Sequence, residues 1–131
     1  MRTFKFVIAN LAIVVAAAPV WLAWEFSRPV GPLEAFDKHT WLVRNFLLTE
    51  PGDPGCVRGG MALDLIERKF LIGNLASDVT NLLGEPTGKG NTWTYGLGQC
   101  SGLGWYNSEL VVAFDRNSRV STVSFARVPG S

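Results

Sequence analysis

The sequence predicts an α+β fold, a two-layer sandwich of short helices on a three-stranded antiparallel meander, preceded by an N-terminal transmembrane helix. Three observations lead there. Apolar residues crowd the first 25 positions, recur at three- and four-residue spacing through the middle of the chain, and alternate with period two from Thr92 onward. At 131 residues the chain has room for one compact domain with an appendage. The organisation read from these patterns is an anchor over 1–25, a stem with an amphipathic helix over 26–57, and an α+β domain over 58–131.

From Phe6 to Trp24 the chain reads FVIANLAIVVAAAPVWLAW, nineteen residues with Asn10 as the only strongly polar side chain. As a helix such a run reaches about 28 Å, close to the thickness of a bilayer's hydrocarbon core. A cleaved signal peptide is the rival reading, with Arg2 and Lys5 as its basic start and Ala16, Ala17 and Ala18 as its cleavage site. Pro19 directly after that site opposes cleavage, and the apolar run continues to Trp24, so an uncleaved anchor is expected. Trp21 and Trp24 suit the far membrane interface. No cysteine directly follows the run to accept an acyl chain. Arg2 and Lys5 ahead of the anchor, and Cys56 and Cys100 behind it, favour a C-terminal domain in an oxidising compartment. The expected location is the bacterial inner membrane, single-pass, with the domain in the periplasm.

Two prolines and a glycine in EFSRPVGP mark the stem. Leu33 to Leu48 then places Leu33, Phe36, Val43, Phe46 and Leu47 at helical spacing, and their cover is either the domain or the membrane surface. TEPGDPG reads as a loop. A second helix is expected over Met61–Leu71, ended by Gly73, and a third over Leu75–Leu83, capped by Asn74 and stopped by Gly84 and Pro86. Three strands follow, over Thr92–Gly98, Glu109–Asp115 and Arg119–Arg127, with Asp115–Ser118 as the turn between the last two.

Composition narrows the function. Twelve basic and eleven acidic residues give a net charge of +1, which removes the electrostatic footprint of a nucleic-acid binder. Two cysteines and one histidine do not make a four-ligand zinc site, and no metal or cofactor motif is complete. Gly98-Gln-Cys100-Ser-Gly102 imitates a nucleophile elbow, but that device needs a strand-to-helix turn and a strand is expected next. Gly84–Gly90 is one residue short of a phosphate loop and lacks its Ser or Thr, and no helix follows Gly96-Leu97-Gly98. His39 reads as a solvated side chain, and Asp64 with Glu67 as a solvated helix face. Cys56 and Cys100 are expected to pair, closing a loop worth roughly 4 kcal/mol in the chain-entropy account.

The run Gly73-Asn-Leu-Ala-Ser-Asp-Val79 through Leu82-Leu83-Gly84-Glu85-Pro86, then Trp93-Thr-Tyr95, then Leu110-Val-Val-Ala-Phe114-Asp115, resembles the SmpA/OmlA (BamE-like) family. That family includes a small lipoprotein subunit of the outer-membrane β-barrel assembly machinery. The resemblance runs from Gly73 to Val120 and implies a helix pair on a three-stranded sheet. It departs from the family in having an anchor rather than an acylated cysteine, Leu75 where a Thr or Ser caps the second helix, and Asn117-Ser118 where the last hairpin has glycine. Asn117 is expected to take the left-handed conformation there. The relatives imply a structural contact between Arg58 and Asp64, tying the loop to the helix. Trp93, Tyr95 and Phe114 are expected in the core.

The function expected is a non-catalytic, membrane-anchored adaptor or assembly factor of the cell envelope, with no cofactor, binding an envelope protein or lipid. The alternative is a small inhibitor module presenting Gly102–Asn107 to an envelope enzyme. The interaction surface is expected on Gly98–Asn107, a segment without helix or strand whose Leu103, Trp105 and Tyr106 lack a place in a two-layer core.

Overall fold

The computed structural model describes residues 31–49 and 55–128. The expected anchor and its interface tryptophans lie outside these residues, and no helix among the described residues is long and apolar enough to cross a membrane. Three helices, α1 (Lys38–Thr49), α2 (Gly59–Glu67) and α3 (Ala76–Leu83), precede strands β1 (Gly88–Lys89), β2 (Thr92–Ser101), β3 (Tyr106–Phe114) and β4 (Val120–Arg127). The sheet is antiparallel in the order β1-β2-β3-β4. The α+β class holds, with four strands rather than three. The additional strand is two residues long, pairing Gly88 with Thr94 and Lys89 with Trp93, too short for alternation to reveal it.

Period two does place the sheet's inner face. Tyr95 lies opposite Leu110 and Trp93 opposite Val112, while Leu110 and Val112 lie opposite Phe125 and Val123. Side chains two apart share a face, so these residues form one apolar surface under the helices. The core joins Tyr95, Leu97, Leu110 and Val112 to Met61, Leu65, Leu71, Val79 and Leu83. Tyr95 is fully within it. Trp93 and Phe114 are partly buried at its margin, their rings 4.7 Å apart edge to face.

The first helix differs most from its expected form. It begins at Lys38 because Asp37 accepts from the Thr40 N–H at 2.9 Å and the Thr40 hydroxyl at 2.7 Å. The chain before it is tied down separately, with the Phe36 N–H donating to Asp64 at 2.8 Å. Trp41, not the Val43–Leu47 side, points inward. Its ring is fully buried, and its indole N–H donates to the Leu83 carbonyl at 3.0 Å. The domain therefore covers α1 through Trp41 and leaves Leu42, Val43, Phe46 and Leu47 exposed.

Smaller corrections have local causes. The second helix starts at Gly59 and ends at Glu67, since Lys69 takes a φ of 52° and the chain turns through Gly73. Leu75, not Asn74, occupies the N-cap of α3. The Asn74 backbone is engaged by β4, its carbonyl accepting from Val120 N–H at 2.8 Å, while Asp78 accepts from the Leu75 N–H at 3.3 Å. In the β3–β4 turn Ser118, not Asn117, takes the left-handed conformation, at φ 59°. Asp115 fixes the turn by accepting from the N–H groups of Asn117 at 2.8 Å and Arg119 at 3.1 Å.

Candidate interaction surface

The β2–β3 hairpin stands on a covalent base. Cys56 and Cys100 form a disulfide across 44 residues, with their Cα atoms 4.7 Å apart. Cys56 also bridges to Gly98, the Gln99 N–H donates to the Gly55 carbonyl at 2.9 Å, and the N–H groups of Val57 and Arg58 share the Leu97 carbonyl at 3.0 Å. Two glycines make this approach possible. A side chain at Gly59 would overlap both sulfurs, and one at Gly98, where φ is 92°, would overlap the Gly55 carbonyl. Cys100 is thereby a buried half-cystine, which ends the nucleophile-elbow reading.

Above this base the strands run further than their alternation indicates, so the segment without helix or strand shrinks from Gly98–Asn107 to the four residues 102–105. Gly102, Leu103 and Gly104 all have positive φ, at 58°, 58° and 88°. The N–H groups of Gly104 and Trp105 both donate to the Ser101 carbonyl at 3.1 Å. Such a tight return throws side chains outward. Leu103 is 71% exposed and Trp105 78%. A leucine in the left-handed region is strained by about 1–2 kcal/mol and persists where the surroundings dictate it. Tyr106, the third expected member, is instead half-buried beneath Arg127, whose guanidinium carbon lies 4.6 Å from the ring centre.

The residues of the sequence motif are spread over the domain and make structural contacts. Arg58 and Asp64 do not join each other. Arg58 is 2% exposed, and its guanidinium donates to the Trp41 carbonyl through Nε at 3.1 Å and Nη2 at 2.7 Å, and to the Gly96 carbonyl at 3.4 Å. It also stacks 4.3 Å from the centre of the Trp41 ring. Burial pushes its pKa down to about 10, so it stays charged at neutral pH. Asp64 pairs with Arg68 one helical turn on, at 2.9 and 2.6 Å. The Arg68 hydrogen bonds and the Phe36 N–H hold its carboxyl below the usual aspartate range.

Around Arg58 the helix stop and the sheet are pinned together. Gly84 turns the chain with a φ of 82° and its carbonyl accepts from the Tyr95 hydroxyl at 3.1 Å. The Trp41 and Tyr95 rings meet edge to face at 6.4 Å. Gly73 accepts from Arg119 at 3.0 Å, and its N–H donates to the Val120 carbonyl at 2.9 Å. Pro86 follows the stop half-buried, as Asp115 closes the last hairpin.

Tyr95 gives a pH prediction. Burial, with Glu85 adding to it, pushes its hydroxyl up to about 12 from 10.0. Between those values the unfolded chain loses this proton and the folded chain keeps it, so stability attached to the neutral hydroxyl falls as pH rises from 10 to 12. The size is on the order of 1–3 kcal/mol. Tyr95→Phe should cost about 1 kcal/mol at neutral pH by leaving the Gly84 carbonyl unpaired, and the gap to wild type should narrow or reverse by pH 12. Urea melts from pH 8 to 12 check it; parallel curves would refute it.

The surface among the described residues is indented by cavities. One of about 390 Å³ lies between the end of α2 and β4, lined by Ile66, Lys69, Ile72, Ser121, Thr122 and Val123. Another, of about 210 Å³, lies beside Cys56 and includes Glu34 and Arg44, which pair at 2.8 Å. His39 and Glu67 are exposed and lie in neither. Among the described residues no three His, Cys, Asp or Glu side chains gather as metal ligands.

No known family, curated protein or solved structure matches the chain. The site therefore rests on its geometry. Sequence reasoning missed Trp41 as a core residue and the Arg58–Trp41 stack. The available signal was that Trp41, the largest apolar side chain of the segment, lies off the stripe of Phe36, Val43, Phe46 and Leu47.

Proposed function

We propose that this protein is a non-catalytic, membrane-anchored periplasmic component of the bacterial cell envelope, an adaptor or assembly factor that meets a protein partner through the β2–β3 hairpin. The observation carrying the reading is the outward display of Leu103 and Trp105 on a hairpin whose base is disulfide-bonded. Exposed tryptophan on a pre-ordered loop is the side chain that most often anchors protein interfaces, because little further ordering accompanies binding. The resemblance of Leu82–Pro86, Trp93–Tyr95 and Leu110–Asp115 to SmpA/OmlA domains supports an envelope role. The apolar run from Phe6 to Trp24 supports the anchor.

Trp105→Ala tests the hairpin. A photo-crosslinker at position 103 in intact envelopes should yield a discrete adduct that the Trp105→Ala change abolishes, with binding weakened by about 2 kcal/mol or more. Because Trp105 is 78% exposed, the melting temperature should stay near that of wild type. An undiminished adduct, or a large fall in melting temperature, would move the contact elsewhere. The anchor makes its own prediction: the chain should fractionate with the inner membrane at full length. A soluble periplasmic form beginning near Pro19 or Glu25 would refute it.

A further inference from the structure

We infer that the outward face of α1 lies in the headgroup region of the same bilayer that holds the N-terminal run, seating the domain against the membrane. This rests on the anchored reading given above. Leu42, Val43, Phe46 and Leu47 are 38%, 57%, 65% and 46% exposed. Their spacing makes two adjacent rows, 42 with 46 and 43 with 47, along one side of the helix. The opposite side is committed to the fold through Trp41, whose N–H reaches the Leu83 carbonyl. α1 is thus held rigidly with its apolar side outward, a poor surface to leave in water.

Three further observations select lipid as the occupant. The apolar run ends at Trp24, and only thirteen residues separate it from the first residue of α1, so the helix is tethered close to any bilayer the run enters. Even fully extended, thirteen residues span no more than about 47 Å. The helix sequence, KHTWLVRNFLLT, contains no acidic residue, and Lys38 and His39 are exposed beside the apolar rows. Apolar rows flanked by basic residues, with the nearest carboxylate held at the Asp37 cap rather than within the rows, suit a helix lying in a lipid interface.

The test uses the full chain reconstituted into vesicles of phosphatidylethanolamine and phosphatidylglycerol. The native cysteines are paired, so a single added cysteine takes an environment-sensitive fluorophore without reduction. Val43→Cys is compared with Asn117→Cys, which lies in the turn beside the opposite end of α3, where Ala76 N–H meets the Ser118 carbonyl. The label at 43 should shift to the blue and be quenched several-fold more by lipids spin-labelled near the headgroup than the label at 117, with the reverse order for aqueous iodide. Flotation of the same vesicles reads the anchor independently. If the chain floats and position 43 is as open to iodide as position 117, the seating is wrong and the anchor stands. If the chain floats and position 43 is shielded from both quenchers, protein covers the face, and the lipid assignment is equally overturned. If the chain fails to float, both fall.

Discussion

Trp41→Ala is expected to remove a large share of the domain's stability, about 3–5 kcal/mol by the usual cost of truncating a buried tryptophan. Small domains hold only about 5–15 kcal/mol in total, so the urea midpoint should fall steeply and α1 should detach. Several losses coincide at this position. The ring is fully buried among the core residues and meets Phe36 and Tyr95 edge to face at 5.9 and 6.4 Å. Its N–H satisfies Leu83 at the end of α3, and its face carries the Arg58 guanidinium. With the ring gone, Arg58 remains a buried cation held by carbonyls alone. Trp41→Phe separates these contributions: it keeps an aromatic face and loses the N–H, and should cost about 1–3 kcal/mol through the unpaired Leu83 carbonyl and the reduced ring. A loss below about 1 kcal/mol for Trp41→Ala would mean that α1 is an appendage rather than part of the core.

The same residue marks how far the sequence could be read. Strand alternation from Trp93 to Phe125 located the sheet and its inner face, because period two depends only on which side of the sheet is dry. Helix stops at Gly84 and Pro86 were legible for a similarly local reason. The orientation of α1 was not, since its apolar stripe and its buried side differ: one large ring outweighs four smaller apolar side chains in deciding which face docks. The Arg58–Asp64 contact failed because each found a nearer partner, a carbonyl of α1 for Arg58 and Arg68 one turn away for Asp64. Leu103 and Trp105 were legible as candidates because glycines flank them. Tyr106 was not separable from them, because Arg127, which covers its ring, comes from the next strand and is distant in sequence.

Replacing both cysteines should be nearly as damaging as losing Trp41, and it should act on the hairpin in particular. Cys56→Ala with Cys100→Ala opens a closure spanning 44 residues, which the chain-entropy account values at about 4 kcal/mol. Alanine fits the space, since it is smaller than the half-cystine it replaces. The loss is therefore chiefly of the constraint. The hydrogen bonds from Gln99 to Gly55 and from Val57 to Leu97 would then hold the Cys56 segment on β2 unaided, and the N–H groups of Gln99 and Val57 should exchange with solvent orders of magnitude faster than in wild type. Leu103 and Trp105 would lose the fixed base that makes them a pre-ordered surface, so crosslinking through position 103 should weaken even at temperatures where the variant remains folded. Urea melts, amide exchange and crosslinking on the same variant distinguish the steps. An unchanged urea midpoint would show that the disulfide contributes nothing to the fold, and unchanged crosslinking despite faster exchange would show that the hairpin does not depend on it for binding.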